Sequence, residues 1–273
     1  MEELIISAEH EEKNYWRDLW SYRELLYFLA WRDILVRYKQ TTVGVAWAVI
    51  RPVLQIAIFT FLFQRVAKMS SGDIPYVLLV TGGTLPWGLF ASTFSAAGDS
   101  LISSSNLISK IYFPRLLVPA STLVVGLVDF AISLSILVVL MIWYRYVPDF
   151  RILTLPLFII LAMMASLGAG LWLAALTVKY RDFRFISPFI VQIGFFISPV
   201  GFASSNITTP WERVLYSLNP MVGVIDGYRW AIFRGSTPFY WPGLLLSLSV
   251  SGFLLFTAIK YFRHTEKSFV DLI

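Results

Sequence analysis

The stretch ILTLPLFIILAMMASLGAGLWLAALTV, Ile152 to Val178, lies between Arg151 and Lys179 and contains no charged side chain. A helix needs ~20 predominantly apolar residues to cross the hydrocarbon core of a bilayer, whereas a buried helix of a soluble domain has an apolar run nearer ~10–14 residues. This stretch is long enough to span. Within it Ala162, Ser166, Gly170 and Ala174 recur every four residues. Such a small-residue face lets a neighbouring helix approach closely and marks packing, not substrate.

Further stretches of this kind lie on either side. Val43 to Phe63 is interrupted only by Arg51, Pro52 and Gln55, Leu116 to Ile142 carries one acid, Asp129, and Gly243 to Ile259 is just long enough to cross. Phe185 to Ala203 is short, with Pro188 and Pro199 near its ends. Ile74 to Gly98 is uncharged but holds Gly82, Gly83, Pro86 and Gly88, a pattern that predicts broken helical geometry sustained by neighbouring protein. The segment Ser204 to Pro242 is neither clearly soluble nor clearly spanning. Its moderately apolar run Pro220 to Phe233, with Asp226 and Arg229 inside, suits a re-entrant or interfacial helix pair better than another span. The expected fold is an all-α membrane protein with six transmembrane helices, an N-terminal cytoplasmic interfacial helix, and periplasmic re-entrant helices between spans 5 and 6. Its divisions are 1–42 for the cytoplasmic N-terminal segment, 43–262 for the six-span domain and 263–273 for a cytoplasmic tail.

Composition agrees. Of 273 residues, 57% are hydrophobic and 14% charged, with a mean hydropathy of +0.69. Soluble domains carry nearer ~25% charged residues, so an ordinary soluble enzyme is excluded. Absent cysteines exclude disulfides and thiolate metal sites, and the two histidines, His10 and His264, lie in polar terminal segments. The acids Glu2, Glu3, Glu9, Glu11 and Glu12 argue against a signal peptide. From Trp16 to Gln40, aromatic and apolar residues mix with both signs of charge, and Leu19, Tyr22, Leu26 and Leu29 fall near helical spacing. This reads as an interfacial helix along the cytoplasmic surface, with Trp16, Trp20 and Trp31 at headgroup depth; a soluble helix packed on the bundle is the alternative. With six spans both termini share a side. Fourteen of the 22 lysines and arginines then fall on one face and seven on the other, which favours cytoplasmic termini.

No G-x-x-x-x-G-K-[ST] loop and no HExxH helix occurs, so the chain itself is expected to bind no nucleotide, cofactor or metal. Asp129 reads either as lining a wet path or as hydrogen-bonded to a Ser or Thr of a neighbouring helix. Arg51 reads as snorkelling to the headgroups, or as standing at the mouth of a path for an anionic substrate. Among many interfacial aromatics, Phe59, Phe63, Trp87, Phe90, Phe94, Phe195 and Phe196 fall in or near spans, where flat rings offer a sliding surface to a sugar polymer; packing is the simpler account of any one ring. Lys179-Tyr180-Arg181-Asp182-Phe183-Arg184 mixes aromatics and both charges as a docking helix would, and the polar run Gly98 to Arg115 is a second handle for a soluble partner.

The run RDILVRYKQTTVGVAWAVIRP, Arg32 to Pro52, resembles the N-terminal signature of type-2 ABC exporter permeases that move polysaccharides, the O-antigen branch (Wzm-type) in particular, with capsule and teichoic-acid exporters as relatives. Arg37 to Thr41, Gly44, Trp47 and Pro52 carry the likeness, supported by the element at 179–183 and by Asn219-Pro220-Met221 ahead of Tyr228-Arg229. The departures are Arg51, often uncharged in relatives, and Val43, where Leu is commoner. The resemblance implies a homodimeric pore in a bacterial inner membrane, paired with two copies of a cytoplasmic ATP-binding subunit that would bind the ATP and Mg. It implies an undecaprenyl-pyrophosphate-linked polysaccharide as substrate, membrane lipids around it and no role for nucleic acid. Arg32, Arg37 and Lys39 would gate and meet the lipid linker. Phe59, Trp87, Phe90, Phe94, Phe195 and Phe196 would line the pore, and Lys179, Tyr180, Arg181, Asp182, Phe183 and Arg184 would couple to the ATPase. The alternatives are a drug or small-molecule efflux permease, a teichoic-acid permease, and a membrane enzyme acting on lipid-linked sugars.

Overall fold

The computed structural model describes residues 11–39, 44–69, 72, 74–207, 209–237, 239–266 and 269. Among them there are helices and no strands, as a bilayer requires of a chain whose backbone polar groups must pair within each segment. In order these are α1 (Glu11–Ser21), α2 (Arg23–Lys39), α3 (Gly44–Thr60, continued by a π-helical turn Phe61–Val66), α4 (Tyr76–Ser103), α5 (Ser105–Ile108), α6 (Leu117–Trp143), α7 (Leu155–Lys179, preceded by a 3-10 turn Phe150–Thr154), α8 (Phe183–Ile197), α9 (Pro210–Tyr216), α10 (Pro220–Ile232) and α11 (Trp241–Thr265). Five of these segments are long and apolar enough to cross a membrane: Ala46–Val66, Tyr76–Ser103, Leu117–Trp143, Phe150–Lys179 and Trp241–Thr265.

The fifth expected span is a shorter helix. At 15 residues α8 rises only ~22 Å, less than the ~30 Å hydrocarbon core. It nevertheless runs antiparallel along α4. Arg184 at its start pairs with Asp99 at 3.2 Å, and Ser187 donates to Ser95 at 3.1 Å. The turn after its end meets the start of α4, where the Tyr76 hydroxyl donates to the carbonyl of Gly201 at 2.5 Å.

α4 itself corrects an expectation. Its glycines and Pro86 do not break it; it is one helix from Tyr76 to Ser103, buried along most of its length. Side chains add bonds to carbonyls of its first two turns: Thr81 Oγ1 donates to Val77 O at 2.6 Å, Thr84 Oγ1 to Thr81 O at 3.2 Å, and Arg229 to Leu79 O. The glycines serve close approach instead. A Cβ on Gly83 would stand 2.5 Å from the Val200 carbonyl oxygen.

α7 is the second central helix. Ala162, Ser166, Gly170 and Ala174 are all buried, and a Cβ on Gly170 would lie 2.7 Å from that of Ala97 on α4. On its other side Gly168 admits the backbone of Leu255 on α11.

The N-terminal region also departs from a single surface helix. The chain breaks at Tyr22 into α1 and α2, and α2 climbs along α6. Leu29 shares a buried cluster with Leu117 and Val118, and eight residues later Arg37 reaches Asp129, near the middle of α6. Trp16, Trp20 and Trp31 are exposed. The described ends of the chain meet: the Tyr15 hydroxyl donates to Glu266 at 3.2 Å and Arg263 lies over its ring at 4.5 Å. Burial, aided by the Glu266 carboxylate, pushes the Tyr15 phenol above its usual range, so it stays a donor. α10 is no surface helix either. It packs on α4, α7 and α11, with Asn219 capping its start by accepting from the Met221 N–H at 3.0 Å.

Candidate functional site

The last turn of α2 carries Arg37, Tyr38 and Lys39. Cations there complement the negative end of the helix dipole, and the turn faces α6. Both oxygens of Asp129 are engaged: the Arg37 guanidinium pairs with Oδ2 and the Tyr38 hydroxyl donates to Oδ1. The reading of Asp129 as bonded to a Ser or Thr of a neighbouring helix is therefore corrected. A hydroxyl alone would leave a carboxylate charged in a low-dielectric setting, whereas a guanidinium neutralises it. The nearby Ser133 bonds only the backbone carbonyl of Asp129, at 3.0 Å.

These groups form one wall of a cavity of about 530 Å³. α3 supplies Trp47, Arg51 and Gln55, α4 supplies Thr84, Gly88 and Ser92, and α6 supplies Asp129, Phe130 and Ser133. Gly88 and Asp129 lie near the middles of their helices, and Arg51 shares the cavity with them. Its guanidinium lies over the Trp47 ring at 5.5 Å, a cation–π contact that holds the charge without neutralising it. Among the described residues Arg51 makes no ion pair. The cavity thus offers two guanidinium groups and one carboxylate, with hydroxyls of Thr84, Ser92 and Tyr38 around them. Its guanidinium and hydroxyl groups can donate hydrogen bonds to an anion.

Of the three residues expected to gate the linker, Arg37 alone lines this cavity. Arg32 pairs with its neighbour Asp33 at 2.8 Å, and Lys39 is exposed. Gln40 and Thr41 lie outside the described residues. Arg51, read from the sequence either as snorkelling to the headgroups or as standing at the mouth of a path for an anionic substrate, lines the cavity as well.

Residues 24–233 match the profile of the family described as ABC-2 type transporter. The chain belongs to the ABC-2 type transporter family. It is similar to the O-antigen export system permease protein RfbA of Myxococcus xanthus, 28% identical over 258 residues that cover 94% of this chain and 98% of that protein. Two proteins of the same name from Klebsiella pneumoniae are 27% and 26% identical over 244 residues, 87% of this chain and 93% of each. This ABC-2 family member is accordingly a multi-pass membrane transport subunit and not an enzyme.

In this ABC-2 protein the remaining expected sites fall in two places. Lys179 ends α7, Tyr180 is extended and Phe183 opens α8, so the stretch Lys179 to Arg184 is a linkage between two helices and not a docking helix of its own. It is exposed, with Lys179 over Tyr180 at 5.3 Å and Tyr180 6.1 Å from Phe183. Arg181 and Asp182 are exposed, while Arg184 turns back to Asp99. The aromatics gather elsewhere. Phe59 and Phe195 are 4.5 Å apart, Trp87 and Phe90 5.2 Å, and Phe90 and Phe94 stack at 5.7 Å. Trp87, Phe90, Phe94 and Phe195 are buried in the core of the single chain, Phe59 is half-buried, and Phe196 is 60% exposed.

Proposed function

We propose that this protein is the pore-forming subunit of an exporter that carries undecaprenyl-pyrophosphate-linked polysaccharide, O-antigen in the first instance, across a bacterial inner membrane. Similarity to proteins named as O-antigen export permeases across nearly the whole of both chains is the observation that carries this reading. The cavity adds chemistry. Arg37 and Arg51 suit a pyrophosphate, which an arginine fork holds by paired, charge-assisted hydrogen bonds, and the apolar flanks of α3 suit a polyprenyl tail.

The working unit is a homodimer with two copies of a cytoplasmic ATP-binding subunit, which supplies the nucleotide and Mg chemistry; both termini are cytoplasmic. α8 together with the turn to Ala203 forms the sixth crossing, supported by its course along α4 from Asp99 to Tyr76. α9 and α10 form the re-entrant periplasmic cap. Residues 1–42, 43–262 and 263–273 act as gate segment, spanning domain and tail. Arg181 and its exposed neighbours dock the ATPase, and Phe196, with Phe59, presents ring surface toward the polymer path.

Deleting the coding sequence is expected to abolish surface O-antigen and to leave the lipid-linked polymer in the cytoplasmic leaflet, with restoration by a plasmid copy. Unchanged surface polysaccharide in the deletion strain would overturn the reading.

A further inference from the structure

The contact between α2 and α6 has a consequence for how the cavity opens. The carboxylate of Asp129 has both oxygens bound by consecutive residues of α2, Arg37 and Tyr38, 92 and 91 positions away in sequence. The last turn of α2 is thereby fastened to the middle of a span, on the wall of the cavity that also holds Arg51. Arg51 is balanced by no carboxylate among the described residues and rests on Trp47 alone. A phosphate attracted to Arg51 would share the cavity with Arg37. It offers several acceptor oxygens and a larger charge than one carboxylate, so it competes for the guanidinium on favourable terms.

We propose that Asp129 is the internal counter-ion of α2: it holds Arg37 and Tyr38, and with them the end of the helix, against α6 until a lipid-borne phosphate takes Arg37 over and frees the helix to move aside. The proposal rests on reading the cavity as the linker's site. It makes Asp129 a positioning residue that acts through Arg37. Release requires the anion to favour the freed state over the fastened one, and the exchange of partners supplies that difference. Before the anion arrives, the pairing neutralises Arg37 and leaves Arg51, among the described residues, as the cavity's uncompensated charge.

Amide hydrogen exchange of the 31–39 segment, measured on the full chain in nanodiscs together with its ATP-binding partner, tests this. Asp129→Asn is expected to raise exchange there on the order of tenfold or more without any added lipid, the loss of a charge-assisted hydrogen bond, and Asp129→Glu to restore most of the protection. Undecaprenyl pyrophosphate is expected to raise exchange of the same segment in the unaltered protein, with phosphatidylglycerol at the same mole fraction leaving it unchanged. Protection in Asp129→Asn equal to that of the unaltered protein would overturn the fastening. No response to undecaprenyl pyrophosphate would overturn the displacement, and an equal response to phosphatidylglycerol would overturn its assignment to the linker. Polysaccharide-stimulated ATP hydrolysis by the same preparation reports on export separately, so a failed fastening and a failed export reading give different results.

Discussion

The guanidinium of Arg229 on α10 reaches across 150 positions of sequence to the carbonyl oxygen of Leu79 on α4, donating from Nε at 3.1 Å and from Nη2 at 2.8 Å. The same group donates to the carbonyls of Pro199, Val200 and Phe202 at 2.7 Å each. It fastens the turn after α8 and the start of α4 to α10. Ser204 adds a bond to Asp226 at 2.5 Å, one helical turn before Arg229. Five directed donors in one plane are a property of arginine, not lysine.

Arg229→Met is therefore expected to be severely destabilising, by ~3–5 kcal/mol, because it removes the donor to four backbone carbonyls, each buried group left unsatisfied costing ~1–3 kcal/mol. Arg229→Lys should recover less than half of that loss. Thermal unfolding in detergent, followed by size-exclusion fluorescence, reads both, and a melting temperature unchanged by Arg229→Met would refute the role.

Two glycines of α4 separate close packing from open space. A Cβ on Gly83 would meet the Val200 oxygen at 2.5 Å and Arg229 Nη2 at 2.6 Å, whereas one on Gly88 meets nothing within 4 Å. Gly83→Ala is expected to cost ~1–3 kcal/mol through overpacking, and Gly88→Ala to be neutral or to gain up to ~1 kcal/mol of helix propensity. The same unfolding assay compares them; equal effects would contradict this division.

Phe90→Ala and Phe94→Ala should each destabilise by ~3–5 kcal/mol, since both rings are buried in the core. Phe196→Ala should leave stability within about 0.5 kcal/mol, as exposed positions do, and slow export if its ring meets the polymer. Export rates measured at matched amounts of folded protein distinguish a path-lining ring from a packed one.

Arg184 and Asp99 pair at 3.2 Å with both side chains about half exposed, so the pair adds little stability. It joins the linkage between α7 and α8 to the far end of α4. Arg184→Glu is expected to lower ATP-driven transport while leaving ATPase association intact, with Asp99→Arg in the same chain restoring it. Arg181→Glu should instead weaken association and find no such rescue. Loss of ATPase binding in Arg184→Glu would assign that residue to direct docking.

The long spans were legible because their signal is local: no charge interrupts 152–178, and Asp129 alone interrupts 116–142. What failed to read from sequence was every feature decided by a partner distant in the chain. Gly82, Gly83 and Pro86 predict a broken helix by local propensity, yet α4 is continuous, and Gly83 stands against the Val200 carbonyl and Arg229, both from distant parts of the chain. The pairing of Arg37 and Tyr38 with Asp129 joins residues some ninety positions apart, so neither period nor composition reveals it. Arg51 could be read either as snorkelling or as standing at an anionic path, and its sharing a cavity with Asp129 depends on how α3 docks. The mutual packing of Trp87, Phe90, Phe94 and Phe195 inside one chain is a property of the assembled core, which residue type and position in a span do not reveal.

ATP hydrolysis by the chain reconstituted with its ATP-binding partner tests the central claim most directly. The account expects stimulation by undecaprenyl-pyrophosphate-linked O-antigen polysaccharide, lost in Arg37→Ala with Arg51→Ala together. Stimulation by hydrophobic drugs with no response to the lipid-linked polysaccharide would contradict it.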